Sequence, residues 1–160
     1  MSERTKNILA LAIALAACYG VAGFGGVFTA GAVRQWYPTL VKPAWTPPSW
    51  LFGPVWTVLY GLMAVAVWLV WLRRGRGRVA WPIALFVVQL ALNAAWSPVF
   101  FGLRQLGAGL AVIIAMWLAI VATTWAFFRR RALAGWLMLP YLAWVSYAAT
   151  LNFALWRLNP

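Results

Sequence analysis

Charged residues interrupt this chain only at wide intervals, leaving apolar runs of about twenty residues, and that spacing constrains the fold more than any other feature. The runs cover roughly residues 8–31, 51–72, 80–101, 108–128 and 133–157. A helix needs about 20 predominantly apolar residues to cross roughly 30 Å of hydrocarbon. Within lipid its backbone polar groups must also be satisfied internally. The runs therefore predict an all-α integral membrane protein, a five-transmembrane-helix bundle forming one domain over residues 1–160. Only 14 residues carry charge, too few to cover a water-facing surface.

The basic residues identify the two ends of the bundle. Thirteen Lys and Arg face one carboxylate, a formal net charge of +12. They fall in short clusters between the apolar runs, RRGRGR at 73–78 and RRR at 129–131. A nucleic-acid binder gathers such residues on one folded face, so no nucleic-acid partner is expected. Five spans put Arg4, Lys6, Arg73, Arg74, Arg76, Arg78, Arg129, Arg130 and Arg131 on one side, nine charges. Arg34, Lys42, Arg104 and Arg157, four charges, fall on the other. Lys and Arg are retained on the cytoplasmic side. That predicts a cytoplasmic N-terminus, with the first loop and the C-terminus outside. Helical spans favour the inner membrane of a bacterium. SERTKN followed by some two dozen apolar residues is too long for a processed signal peptide.

The inventory of reactive groups is short. There is no His, the sole carboxylate is Glu3, and Cys18 has no partner for a disulfide. Haem ligation by His, zinc sites and paired-carboxylate chemistry are excluded, and no metal is expected. No ionisable residue within the spans offers a coupling-ion site. Small residues at Ala22, Gly26 and Ala30 recur every fourth position on the first helix, a spacing that permits close helix approach.

Aromatic residues are abundant instead, with 13 Trp. Trp68, Trp71, Trp81, Trp136 and Trp156 lie near helix ends, where indoles favour the headgroup layer. Trp117 and Trp144 lie near mid-span, and Trp56 and Trp96 one to two turns inside. Trp56, Asn93 and Trp96 share the half of the membrane beneath the first loop. Trp144, Ala148 and Asn152 form one stripe running toward that loop. Asn93 and Asn152 are costly against lipid, so they should point inward. Indoles and amides converging at one depth describe an apolar pocket suited to a flat hydrophobic ligand.

Above it lies the loop at 32–50, including KPAWTPPSW. Proline fixes φ and removes backbone donors, so the segment is semi-rigid before anything binds. It reads as a lid, with Trp45 and Trp50 supplying contact area.

Three stretches carry a resemblance: WYPTLVKPAWTPPSWLFGPVWTVLY, QLALNAAWSPVFFGLRQLG and PYLAWVSYAATLNFALWR. They resemble the tryptophan-rich sensory protein family, whose animal members are the translocator proteins, or peripheral-type benzodiazepine receptors. The likeness runs from Trp36 to Arg157, and more loosely through the first helix. It implies a five-helix bundle, commonly a homodimer, that binds tetrapyrroles such as protoporphyrin IX without a tightly bound cofactor. Carried over by motif, the ligand-binding positions are Trp36, Tyr37, Trp56, Asn93, Trp144, Ala148 and Leu151. In bacterial members the tryptophans matching Trp56 and Trp144 are implicated in light-dependent porphyrin breakdown. Leu151, Phe153 and Arg157 match a sterol-recognition pattern that wants Tyr where Phe153 stands, which makes sterol binding doubtful. Ala94 stands where many relatives carry a larger side chain.

Three readings stay open on these grounds: a porphyrin-binding membrane sensor or regulator, an unconventional enzyme degrading porphyrin through Trp56 and Trp144, and a passive porphyrin or lipid carrier.

Overall fold

A computed structural model describes residues 1–160 apart from the side chain of Arg76, one of the nine basic residues counted above, which lies outside the described residues. Helices α1 (Glu3–Gln35), α2 (Phe52–Trp71), α3 (Ala80–Ser97), α4 (Leu106–Arg130) and α5 (Ala132–Leu158) account for most of the chain. All five are long and apolar enough to cross a membrane. This is a membrane protein.

The helix ends differ from the expected ones most clearly at α1. It starts at Glu3 rather than residue 8 and ends at Gln35 rather than 31. Ser2 caps it, its hydroxyl accepting from the Thr5 N–H at 3.2 Å, and Glu3 pairs with Lys6 one turn on. Apolar length marks the part of a helix in hydrocarbon, whereas its polar ends continue through the headgroup layer. The third run also departs from one regular helix. At Pro98 it passes into a π-helical turn, Pro98–Gly102, where the Leu103 N–H reaches the Pro98 carbonyl at 2.8 Å. Proline has no N–H for the α-helical ladder, which favours a change of winding there.

Neighbouring contacts arrange the helices in a closed ring, α1–α2–α5–α4–α3 and back to α1. Helix α2 is the most enclosed and α1 the least. At the ring's centre Met63, Ile113, Met116, Ile120, Phe127 and Met138 are fully buried. Lipid tails are as apolar as these side chains, so close van der Waals packing rather than exclusion of water holds such a core. The packing is tight at Gly135, where a Cβ would overlap the Phe128 ring.

The expected close approach at Gly26 is not found within the chain, because a Cβ there would meet nothing within 4 Å. It occurs one residue earlier, at Gly25, where a Cβ would lie 3.1 Å from Ser97 Oγ on α3. Near the N-terminus α1 is clasped to α2 and to the turn that follows it. Arg74 donates to Glu3 Oε2 at 2.5 Å and to Asn7 Oδ1 at 2.8 Å, while Trp68 Nε1 donates to the Asn7 carbonyl at 2.9 Å.

Candidate functional site

A cavity of about 290 Å³ lies in the half of the bundle nearest the first loop. Its wall on α1 is made of Ala22, Gly25, Gly26, Thr29 and Val33, mostly small side chains. Trp56 on α2, Trp96 on α3 and Trp144 on α5 supply indole walls, and Tyr37 and Phe52 flank the loop end. Helix α4 contributes Met116 alone among the described residues, near the floor.

The floor is polar and interconnected. Tyr60 Oη donates to Asn93 Oδ1 at 2.5 Å, and Asn93 Nδ2 donates to Tyr141 Oη at 2.9 Å. Tyr141 in turn donates to Gln89 Oε1 at 3.0 Å. Three helices are thereby tied at one depth, and Gln89 Nε2 is left buried without a partner. Polar groups in a membrane interior are affordable when they satisfy one another across helices. A second link lies higher, where Trp96 Nε1 donates to Asn152 Oδ1 at 3.3 Å and Asn152 Nδ2 to the Leu106 carbonyl at 2.9 Å.

Tyr37, Trp56, Asn93 and Trp96, singled out in the sequence, line this cavity, as do Trp144, Ala148 and Leu151. Trp36, Trp45 and Trp50 do not. The Trp36 ring packs edge-on against Phe100 at 5.9 Å. Trp45 packs on Tyr147 at 5.7 Å and is about half exposed, and Trp50 is 71% exposed. Ala94 is not among the lining residues, and Trp117 is engaged elsewhere, donating to Ser146 Oγ at 2.8 Å. Leu151 is buried while Phe153 is half exposed, so the sterol-pattern residues do not share one face.

Tyr60 and Tyr141 were not singled out in the sequence, nor was Gln89. Each is a polar group inside an apolar run, the same signal that drew attention to Asn93, and Gln89 lies one turn from Asn93 on α3.

No charged side chain lines the cavity among the described residues. The Tyr37 hydroxyl is buried without a partner, and burial chiefly pushes its pKa up to about 12. The Trp144 indole N–H is likewise buried and unpartnered. The ring of Trp56 lies 5.5 Å from that of Tyr60 and 6.1 Å from that of Tyr141, and Trp144 lies 6.0 Å from Phe52. The site can offer aromatic faces and neutral hydrogen-bonding groups. Among the described lining residues there is no carboxylate, His, Lys or Cys.

The first loop is folded back on itself and onto α5. Lys42 Nζ donates to the carbonyls of Tyr37, Leu40 and Pro38 at 2.8, 3.0 and 3.2 Å, and Tyr147 Oη donates to the Trp45 carbonyl at 2.8 Å.

Known proteins are similar to this sequence over most of its length. The Tryptophan-rich protein TspO of Chlorobaculum tepidum is 45% identical over 157 residues, covering 97% of this chain and 99% of the relative. The Tryptophan-rich sensory protein of Cereibacter sphaeroides is 44% identical over 91% of this chain and 88% of its own. Human Translocator protein is 43% identical over 84% of this chain and 81% of its own. The pattern that defines the TspO/MBR family matches residues 12–157, spanning all five helices and the loop between α1 and α2, and the chain belongs to that family.

Proposed function

We propose that this membrane protein is a tetrapyrrole-binding sensor or regulator, with protoporphyrin IX as ligand and the cavity beneath the first loop as its site. The observation that carries this reading is the meeting of three indoles from three helices, Trp56, Trp96 and Trp144, over the neutral polar floor of Tyr60 and Asn93. Flat aromatic faces suit a macrocycle, and a few placed polar groups fix its orientation. The name "sensory protein" carried by the Cereibacter sphaeroides relative agrees with a signalling role. At about 290 Å³ the cavity is at the small end of ligand pockets, roughly 300–1,000 Å³. A macrocycle must therefore widen it, and the first loop, tied to α5 through Tyr147, is the part to give way. In this reading the loop is a lid.

The setting proposed with it is the inner membrane of a bacterium, with the N-terminus cytoplasmic and the loop and C-terminus periplasmic, on the nine-to-four charge asymmetry. The assembly proposed is a homodimer.

Titrating the purified protein with protoporphyrin IX while following tryptophan fluorescence tests the reading. Saturable quenching, weakened in a Trp144→Ala variant, is expected. Quenching that rises without saturation, equally in both proteins, marks simple partitioning into detergent and overturns it.

A second reading, light-dependent porphyrin breakdown, is favoured by one observation. Trp56 and Trp144 line the same cavity, and both indoles are oxidisable groups within reach of a ligand lying there.

A further inference from the structure

The end of the bundle opposite the first loop holds most of the charge and none of the proposed site. Its sole carboxylate, Glu3, is engaged by Lys6 and Arg74. Arg78, Arg129, Arg130 and Arg131 are left without an acidic partner, since the chain has no other acidic side chain. They converge from two connections. Gly77, at φ 144°, lies so close to Arg130 that a Cβ built there would be 3.1 Å from the guanidinium. This brings the α2–α3 connection, with Arg78, against the end of α4. Arg130 Nε is buried there without a hydrogen-bond partner.

Beside this cluster an aromatic pair spans α3 and α4. The Trp81 and Trp125 rings lie 6.0 Å apart and both are exposed, at 40% and 58%. The Arg129 guanidinium sits 5.7 Å from the Trp125 ring centre. From Trp125 an exposed apolar strip continues along α4 through Val121 and Leu118, one and two turns further into the membrane.

We propose that this end of the protein binds the headgroup of an anionic phospholipid against α3 and α4, where the Trp81 and Trp125 rings meet. Arg129 and Arg130 take the phosphate, Trp81 and Trp125 flank the glycerol region, and an acyl chain runs along Val121 and Leu118. Basic groups between membrane helices on one face recognise anionic headgroups in this way. The occupant is a lipid rather than an acidic protein segment because the cationic cluster is continuous with the lipid-facing strip. A soluble partner would leave that strip uncovered.

Native mass spectrometry of the full chain, purified with equal phosphatidylglycerol and phosphatidylcholine, tests this. Each Arg near an anionic surface is worth about fivefold in affinity. The variant carrying Arg129→Gln and Arg130→Gln should therefore retain phosphatidylglycerol about thirtyfold more weakly, with phosphatidylcholine unchanged. Arg157→Gln, at the opposite end, should match wild type. Equal retention in the double variant, or equal loss in Arg157→Gln, overturns the proposal. Wild-type protein gives an independent test should the double variant fold poorly. Phosphatidylglycerol nanodiscs should raise its unfolding temperature over phosphatidylcholine nanodiscs, and added salt should remove the difference. No difference overturns the proposal. Inorganic phosphate reproducing the rise in phosphatidylcholine would assign the cluster to a soluble anion and overturn it equally.

Discussion

The side-chain amide of Asn159 holds both backbone groups of Val41, accepting from its N–H at 2.9 Å and donating to its carbonyl at 3.0 Å. The end of the last helix thus clips the middle of the first loop, 118 residues earlier in the chain. The same amide donates to the Leu155 carbonyl at 2.9 Å, which anchors the clip to the last turn of α5.

Asn159→Ala removes both bonds while leaving the helices intact. Exposed hydrogen bonds contribute at the weak end of about 0.5–1.5 kcal/mol each, so the closed loop should lose about 1 kcal/mol, and because a macrocycle must displace that loop, protoporphyrin affinity should rise by up to about fivefold. Hydrogen exchange at residues 40–47 should quicken in the same variant. Unchanged exchange would show that the loop is held by Tyr147 and Trp45 instead.

Asn93 sits between two tyrosines and satisfies both. Asn93→Ala leaves the hydroxyls of Tyr60 and Tyr141 short of partners in an apolar interior. Interhelical hydrogen bonds in membranes average about 0.6 kcal/mol and reach about 1.7, so a loss of about 1–3 kcal/mol is expected. Thermal unfolding in detergent reads it, with Thr150→Ala on the exposed side of α5 as control. Identical melting of the two variants would mean that the floor network adds nothing to stability.

How much of this was legible follows from what a bilayer imposes. The spans were readable because hydrocarbon thickness fixes the length of an apolar run, and the amides because burying them against lipid is costly. Which helix Asn93 meets was not readable. Helices apolar all round carry no periodic stripe to say which face turns inward, so the ring order α1–α2–α5–α4–α3, and with it the Tyr60–Asn93–Tyr141 chain, needed three dimensions. Proline made the stiffness of the first loop visible but not the direction of its rings. Trp45 faces Tyr147, and Trp50 faces outward, because contacts with α5 and the start of α2 decide this.

The orientation rests on nine basic residues at one end against four at the other. A reporter active only in the periplasm should give signal when fused after Pro160 and none when fused after Arg131. The reverse pattern would put the first loop and the cavity on the cytoplasmic side.

Trp56 and Trp144 face one cavity from α2 and α5, so a macrocycle bound there lies against both indoles. Stacking of aromatic faces adds roughly 0.5–1.5 kcal/mol per pair beyond the area buried. Phe keeps most of that area and loses the indole N–H and its easier oxidation. Replacing either residue with Phe should therefore keep protoporphyrin affinity within about tenfold, while most light-dependent loss of its absorbance disappears. Trp136 is 62% exposed and packs on Phe128 away from the cavity, so Trp136→Phe should behave as wild type in both assays. The Trp144 indole N–H has no hydrogen-bond partner within the protein, so Trp144→Phe should also cost little stability, which separates loss of photochemistry from misfolding. Equal bleaching in all three variants would remove the redox role and leave binding alone. Bleaching lost equally in Trp136→Phe would trace the effect to bulk indole content rather than to the cavity.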